Sequence, residues 1–234
     1  MTNNINTFWD THVHIFSHRW INDDVYFGRH HLPAWAWPVL HAVRSAVKGC
    51  EHVIPDDVQG IIECALDVFK LDDDARRILE MIELFYMSPA DQLSRLRAAW
   101  RANGIAGGYI LIPAIGDYRR ATRDICLLTN QDDNILVFAP WQVCDEPGVY
   151  GVKFYPALEG LRVLPEVVGC GRPIIAHCSP GGIRKGQRSE AVERRDNAPG
   201  WVLDALDIDP RARIILAHGG NERAFLRACN PKLD

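Results

Sequence analysis

No uninterrupted run of apolar residues in this chain approaches the ~20 that a membrane-spanning helix needs. A basic excess is missing as well. Among its 234 residues, 26 Lys and Arg stand against 30 Asp and Glu, a formal charge of −4. No long basic stretch appears, so the electrostatic footprint of a nucleic-acid binder is not expected. The opening residues, Met1-Thr2-Asn3-Asn4-Ile5-Asn6, have neither the basic start nor the apolar stretch of a secretory signal. The seven cysteines (Cys50, Cys64, Cys126, Cys144, Cys170, Cys178 and Cys229) are odd in number and contain no C-x-x-C pair. They read as reduced core thiols rather than a disulfide framework. Internal repeats, low-complexity segments and a flexible linker are also lacking. These absences lead to the expectation of one cytoplasmic domain without membrane or nucleic-acid partners.

What the chain does have is a patterned set of histidines. His12 and His14 lie two apart in Phe8-Trp9-Asp10-Thr11-His12-Val13-His14-Ile15-Phe16. On a β-strand, residues i and i+2 share a face, roughly 6.5–7 Å apart along the chain. Two imidazoles so placed can converge on one divalent ion while Val13 and Ile15 face the apolar side. Two further histidines end apolar runs: His177 in Pro173-Ile174-Ile175-Ala176-His177, and His218 in Ile214-Ile215-Leu216-Ala217-His218. A lone strand histidine is more often structural than a ligand. Histidines at the ends of three separate strands suggest instead a metal site at one rim of a sheet, where parallel α/β folds put their chemistry. His18, His30, His31, His41 and His52 lie on no such runs and read as surface or lid residues, with His18 in reserve for its closeness to the first pair. Cys178, next to His177, should face the opposite side of its strand and is not taken as a ligand.

Strand-like runs fall at 7–15, 108–113, 134–140, 149–155, 173–178 and 212–218. Most are almost wholly apolar, as expected of strands covered on both faces. Pro113, Pro140, Pro156 and Pro180 stop four of them, because proline cannot donate to a ladder. Helical patterns lie between. Ser88-Pro89-Ala90-Asp91 opens one with an N-cap, a proline in the first turn and an acid, and Asn103-Gly104 ends it. Others span 117–130 and 199–206. This alternation predicts a parallel sheet with right-handed crossovers. About ninety residues separate the first two strands, far more than one crossover needs. They carry Trp20, Trp35 and Trp37 and helical segments near 33–48, 56–70 and 72–86, read as a helical insertion. That insertion is either a lid over the site or a packing surface.

Taken with Gly151-Val152-Lys153-Phe154-Tyr155-Pro156 and Leu216-Ala217-His218-Gly219-Gly220, the Asp-x-His-x-His strand resembles the amidohydrolase superfamily, specifically the amidohydrolase-related branch of metal-dependent hydrolases and nonoxidative decarboxylases. The resemblance covers Phe8 to about Arg223. It implies a (β/α)8 TIM-type barrel over residues 1–234, with 17–106 holding the insertion and the first crossover helix. It also implies one divalent metal, Zn²⁺ in the first instance with Mn²⁺ or Fe²⁺ as alternatives, held by His12, His14 and His177. His218 matches the catalytic histidine of the family's sixth strand, and Lys153 matches a fourth-strand position used for substrate binding in single-metal members. Asp10 resembles the acid that opens the motif and is expected to orient the imidazoles.

Two features depart from that pattern. Six strands of the eight are counted, and the aspartate of the family's eighth strand has no counterpart. Only about ten residues join the third and fourth strands, too few for a full crossover helix. An incomplete barrel exposes sheet edges, which favours association, so a homo-oligomer is an open expectation. Three functional readings stay open: a hydrolase cleaving a C–N or C–O bond, a decarboxylase on the same scaffold, and a non-catalytic remnant that binds metal weakly or not at all.

Overall fold

The computed structural model describes residues 8–29, 32–47, 60–62, 64, 73–178 and 199–217. The chain divides into two compact units, one of Met1–His14, Ile105–Ala114 and Tyr118–Asp234, the other of Ile15–Gly104 and Ile115–Asp117.

The first unit is an incomplete (β/α)8 barrel of the TIM type. Its strands are β1 (Phe8–Val13), β2 (Ile105–Leu111), β3 (Ile135–Ala139), β4 (Val149–Phe154), β5 (Ile174–His177) and β6 (Ile214–Ala217). They pair in sequence order, every neighbour parallel. Helices Tyr118–Thr129 and Trp201–Ile208 make the crossovers from β2 to β3 and from β5 to β6. Between β3 and β4 there is only a 3-10 turn, Trp141–Val143, as the short spacing requires.

Alternation along the strands builds two apolar layers. Outward-facing Val152, Phe154, Ile174 and Ala176 pack with Leu164, Val167, Val168, Trp201 and Ala205 of the covering helices. The Phe154 and Trp201 rings meet edge to face at 5.5 Å. On the other face Leu111, Phe138, Ile175 and Ala217 form a second cluster. Side chains of β2 and β3 thus touch those of β5 and β6, which requires the sheet to curl. Glycine at 151 is dictated by this closeness: a Cβ there would stand 2.3 Å from the Phe138 ring and 2.6 Å from the Pro173 carbonyl.

Coverage on both faces holds for most inner-strand positions, with Tyr150 of β4 41% exposed, and is poorest at the edges. Phe8 is 64% exposed, Trp9 38% and Ile215 41%. β1 and β6 each pair with one strand among the described residues.

The reading of all seven cysteines as reduced thiols needs correction. Cys144, just after the 3-10 turn, and Cys170, at the end of helix Leu164–Gly169, are disulfide-bonded with Cα atoms 6.4 Å apart. Twenty-six positions separate them in sequence. Pairing at that range is created by the β4 crossover and leaves no local spacing to read. Cys126 and Cys178 are buried thiols outside any disulfide, as expected, and Cys64 is an exposed thiol. Cys50 and Cys229 lie outside the described residues.

The second unit is helical, with helices Asp23–Arg29, Ala36–Val47, Asp73–Tyr86 and Pro89–Ala102. The last begins where its sequence says it should: Ser88 Oγ accepts the Asp91 N–H at 3.2 Å, Pro89 occupies the first turn and Asn103 is the C-cap. Its core is aromatic. Tyr26 stacks on Phe85 at 4.5 Å, and the Tyr86 hydroxyl donates to Asp23, which also pairs with Arg44 at 3.1 Å. His18 stacks on Tyr86 at 5.3 Å and its backbone N–H donates to Phe85 O. Burial holds its imidazole below the usual value. A side chain so engaged has a packing role.

Candidate active site

Two groups of polar side chains lie at the carboxyl ends of the barrel strands. The first belongs to β1. Between Asp10 and Val13 that strand advances three residues while β2 advances two, from Gly108 to Ile110. This bulge interrupts strict alternation at the motif itself, a device common beside active sites. His14 then sits one residue past the strand. The Nε2 atoms of His12 and His14 come to 3.1 Å, with the rings edge to face at 4.9 Å. His14 Nδ1 lies 2.9 Å from Leu111 O. A carbonyl can only accept, so Nδ1 carries the proton and Nε2 presents its lone pair.

Two nitrogens bound ~2.0–2.1 Å from one tetrahedral ion stand roughly 3.3 Å apart. The observed 3.1 Å fits that requirement closely. It fits equally a hydrogen bond from His12 Nε2–H to the His14 lone pair. Asp10 Oδ1 accepts the backbone N–H of His12 at 3.2 Å, so the described bond steadies the bulge rather than a ring nitrogen.

The second group lies across β4 and β5. His177 closes β5 and its ring stacks on Tyr155 at 5.8 Å. Among the described residues, no three or more His, Cys, Asp or Glu side chains converge closely enough to hold a metal ion. His12 and His14 therefore meet each other while His177 meets Tyr155. His218 directly follows β6 and lies outside the described residues.

Lys153 occupies the inner face of β4 and is fully buried. Its Nζ has no hydrogen-bond acceptor among the described residues and sits 4.8 Å from the centre of the Tyr155 ring. Burial pushes its pKa down to about 8, opposed by Cys178 and Glu159. Glu159 ends the one-turn helix Pro156–Glu159 and accepts the Tyr155 N–H on Oε2 at 2.9 Å. Its pKa is driven up to about 7 chiefly by burial, against the pull of the Tyr155 N–H, Trp141 and Lys153. Burial likewise raises Tyr155.

Glu159, Tyr155 and Trp141 were not singled out from sequence. The available signal was slight: a proline at 156 starting a helical turn, followed by an acid three positions later. A turn of that kind brings Glu159 back far enough for its charge to act on Lys153.

No protein-family model matches the chain, and no curated protein matches it. A solved structure resembling 74% of the chain is that of a probable 2-pyrone-4,6-dicarboxylic acid hydrolase from Acinetobacter baumannii with citric acid bound, at 11% identity and a TM-score of 0.36. The match covers 50% of that protein, so the present chain spans about half the length of this structural neighbour.

Proposed function

We propose that the chain is a metal-dependent hydrolase of the amidohydrolase type, acting on a C–N or C–O bond in a small substrate. One observation carries the reading: His12 Nε2 and His14 Nε2 stand 3.1 Å apart while the far nitrogen of His14 is tied to a backbone carbonyl. Anchoring one ring nitrogen so that the other is a fixed lone-pair donor is how proteins prepare imidazole ligands. The donor set of neutral imidazoles suits Zn²⁺, with Mn²⁺ and Fe²⁺ as the alternatives.

When bound, such an ion supplies Lewis-acid polarisation of a substrate oxygen and brings the pKa of a coordinated water toward neutrality. The chain's own residues do the rest. His12 and His14 would hold the cation; His177, the third donor that the resemblance implies, is stacked on Tyr155 and would have to turn toward them to join. His218 is the proposed proton carrier, a role suited to imidazole near neutral pH. Lys153 in its protonated form is the proposed partner of a substrate carboxylate, since the buried ammonium has donors and no acceptor beside it.

Metal analysis of purified protein tests this reading. Stoichiometric zinc that disappears in His12→Ala and His14→Ala supports it. Equal metal content in wild type and both variants, with both variants folded, overturns it.

A further inference from the structure

We propose that Lys153 supports a second chemistry: its amine forms an imine with the carbonyl carbon of a small aldehyde or 2-oxo acid, with Glu159 as the proton donor. This goes beyond the hydrolase reading and needs neither histidine of β1.

The residue type is the first argument. Of the chain's 26 basic residues only five are lysines, at 48, 70, 153, 185 and 232, and the rest are arginine. Arginine keeps its charge and cannot act as an amine nucleophile, whereas a buried lysine can. Lys153 is the one lysine among the described residues, at the carboxyl end of a barrel strand where such folds place reactive groups.

Its surroundings are the second. The amine is fully buried, faces the Tyr155 ring at 4.8 Å and has no acceptor among the described residues. An ammonium there is penalised, so at a given pH more of the amine is in the neutral, nucleophilic form than for an exposed lysine. Glu159, whose charge acts on Lys153, likewise has a buried oxygen, Oε1, that closes no hydrogen bond by distance among the described residues, and the Trp141 indole N–H bears on the same carboxyl. Buried polar atoms left this way in one neighbourhood call for a polar guest. Among the described residues, the ionisable groups acting on Lys153 are Cys178 and Glu159. Burial brings the amine down to about 8 and the acid up to about 7, so between those values a neutral amine and a protonated acid each make up an appreciable fraction.

The step balances. The Nζ lone pair bonds to the carbonyl carbon while the π electrons move to oxygen, which takes a proton to give a carbinolamine. Glu159 then protonates that hydroxyl, the C–O bond breaks and water leaves. The nitrogen lone pair closes the C=N bond, and Glu159 recovers a proton from nitrogen. Overall the carbonyl oxygen departs as water with both amine protons.

The test treats the full chain with glyoxylate and sodium cyanoborohydride, with and without EDTA, at about pH 8, where the amine is half neutral. Peptide mass mapping then reads the carboxymethyl adduct at each lysine. Lys153 should label about tenfold faster than the other four, because an ordinary lysine is almost wholly protonated there. Labelling should be unchanged by EDTA, which separates this outcome from failure of the metal reading. Glu159→Gln should slow adduct formation at Lys153 by about tenfold or more while leaving the amine in place. An unmodified Lys153 peptide, or one labelled no faster than the others, overturns the proposal. An unchanged rate in Glu159→Gln overturns the role given to that acid.

Discussion

His14 donates its Nδ1–H to the Leu111 carbonyl over 2.9 Å, tying the end of the β1 motif to the last residue of β2. The bond crosses between strands whose register is already set by Asp10↔Gly108 and Val13↔Ile110. The imidazole is therefore oriented by the sheet, before any ligand arrives.

This geometry predicts unequal consequences within the pair. Replacing His14 by glutamine, which removes the anchored imidazole donor itself, should weaken Co²⁺ or Zn²⁺ binding by more than the ~10- to 100-fold that losing a ligand's support costs. His12→Ala should abolish tight binding altogether. Isothermal titration of the apo protein reads both, and retention of wild-type affinity in His12→Ala contradicts a shared ion.

Lys153→Met should raise stability. The substitution keeps an unbranched chain of similar size and removes a buried amine that closes no hydrogen bond among the described residues. A gain on the order of 2 kcal/mol at neutral pH is expected, measured by urea unfolding. Loss of stability instead means that the amine is well satisfied in the folded protein.

The pH dependence follows from two groups that both prefer to be neutral when folded. Lys153 is depressed from 10.5 to about 8, so between those values the unfolded chain binds the extra proton and stability rises with pH. Glu159 is raised from 4.5 to about 7, so across that lower window the folded protein keeps the proton and stability falls as pH rises. Lys153→Met should flatten the upper limb of a melting-temperature profile, and Glu159→Gln the lower one. Unaltered limbs in the variants contradict these assignments.

Gly151→Ala should destabilise by about 1–3 kcal/mol, the range for overpacking a filled core. The added methyl meets the Phe138 ring and the Pro173 carbonyl, and the backbone oxygen cannot rotate away. Equilibrium denaturation tests this directly, and a neutral outcome means that β3 and β4 are less closely packed.

Cys144→Ser should cost about 3 kcal/mol, since the bridge closes a loop of 26 residues in the unfolded chain. Non-reducing peptide mapping should recover the two cysteines in one joined peptide. Their recovery as separate free thiols contradicts the pairing.

Much of the framework was legible from local chemistry. Ser88-Pro89 and Asn103-Gly104 marked both ends of helix Pro89–Ala102 because capping is a short-range effect. Pro140, and the brevity of the stretch after it, foretold a connection too short for a full helix. β2 was placed too late, at 108 instead of Ile105. Ala106-Gly107-Gly108 has little strand propensity, yet Gly107 is pressed so closely against the Asn134 carbonyl that a side chain would not fit. Tertiary approach overrode propensity there.

Read alone, the residues determined the alternation of strands and helices, the parallel order and the imidazoles worth watching, since all of these rest on periodicity and on interactions a few positions long. Only tertiary structure decided that His12 and His14 meet through a bulge, that Cys144 reaches Cys170, and that Glu159 turns back toward Lys153. Those relationships depend on how far each strand rises and where its crossover returns. Distances of that sort are set by packing many residues at once and leave no mark at any single position.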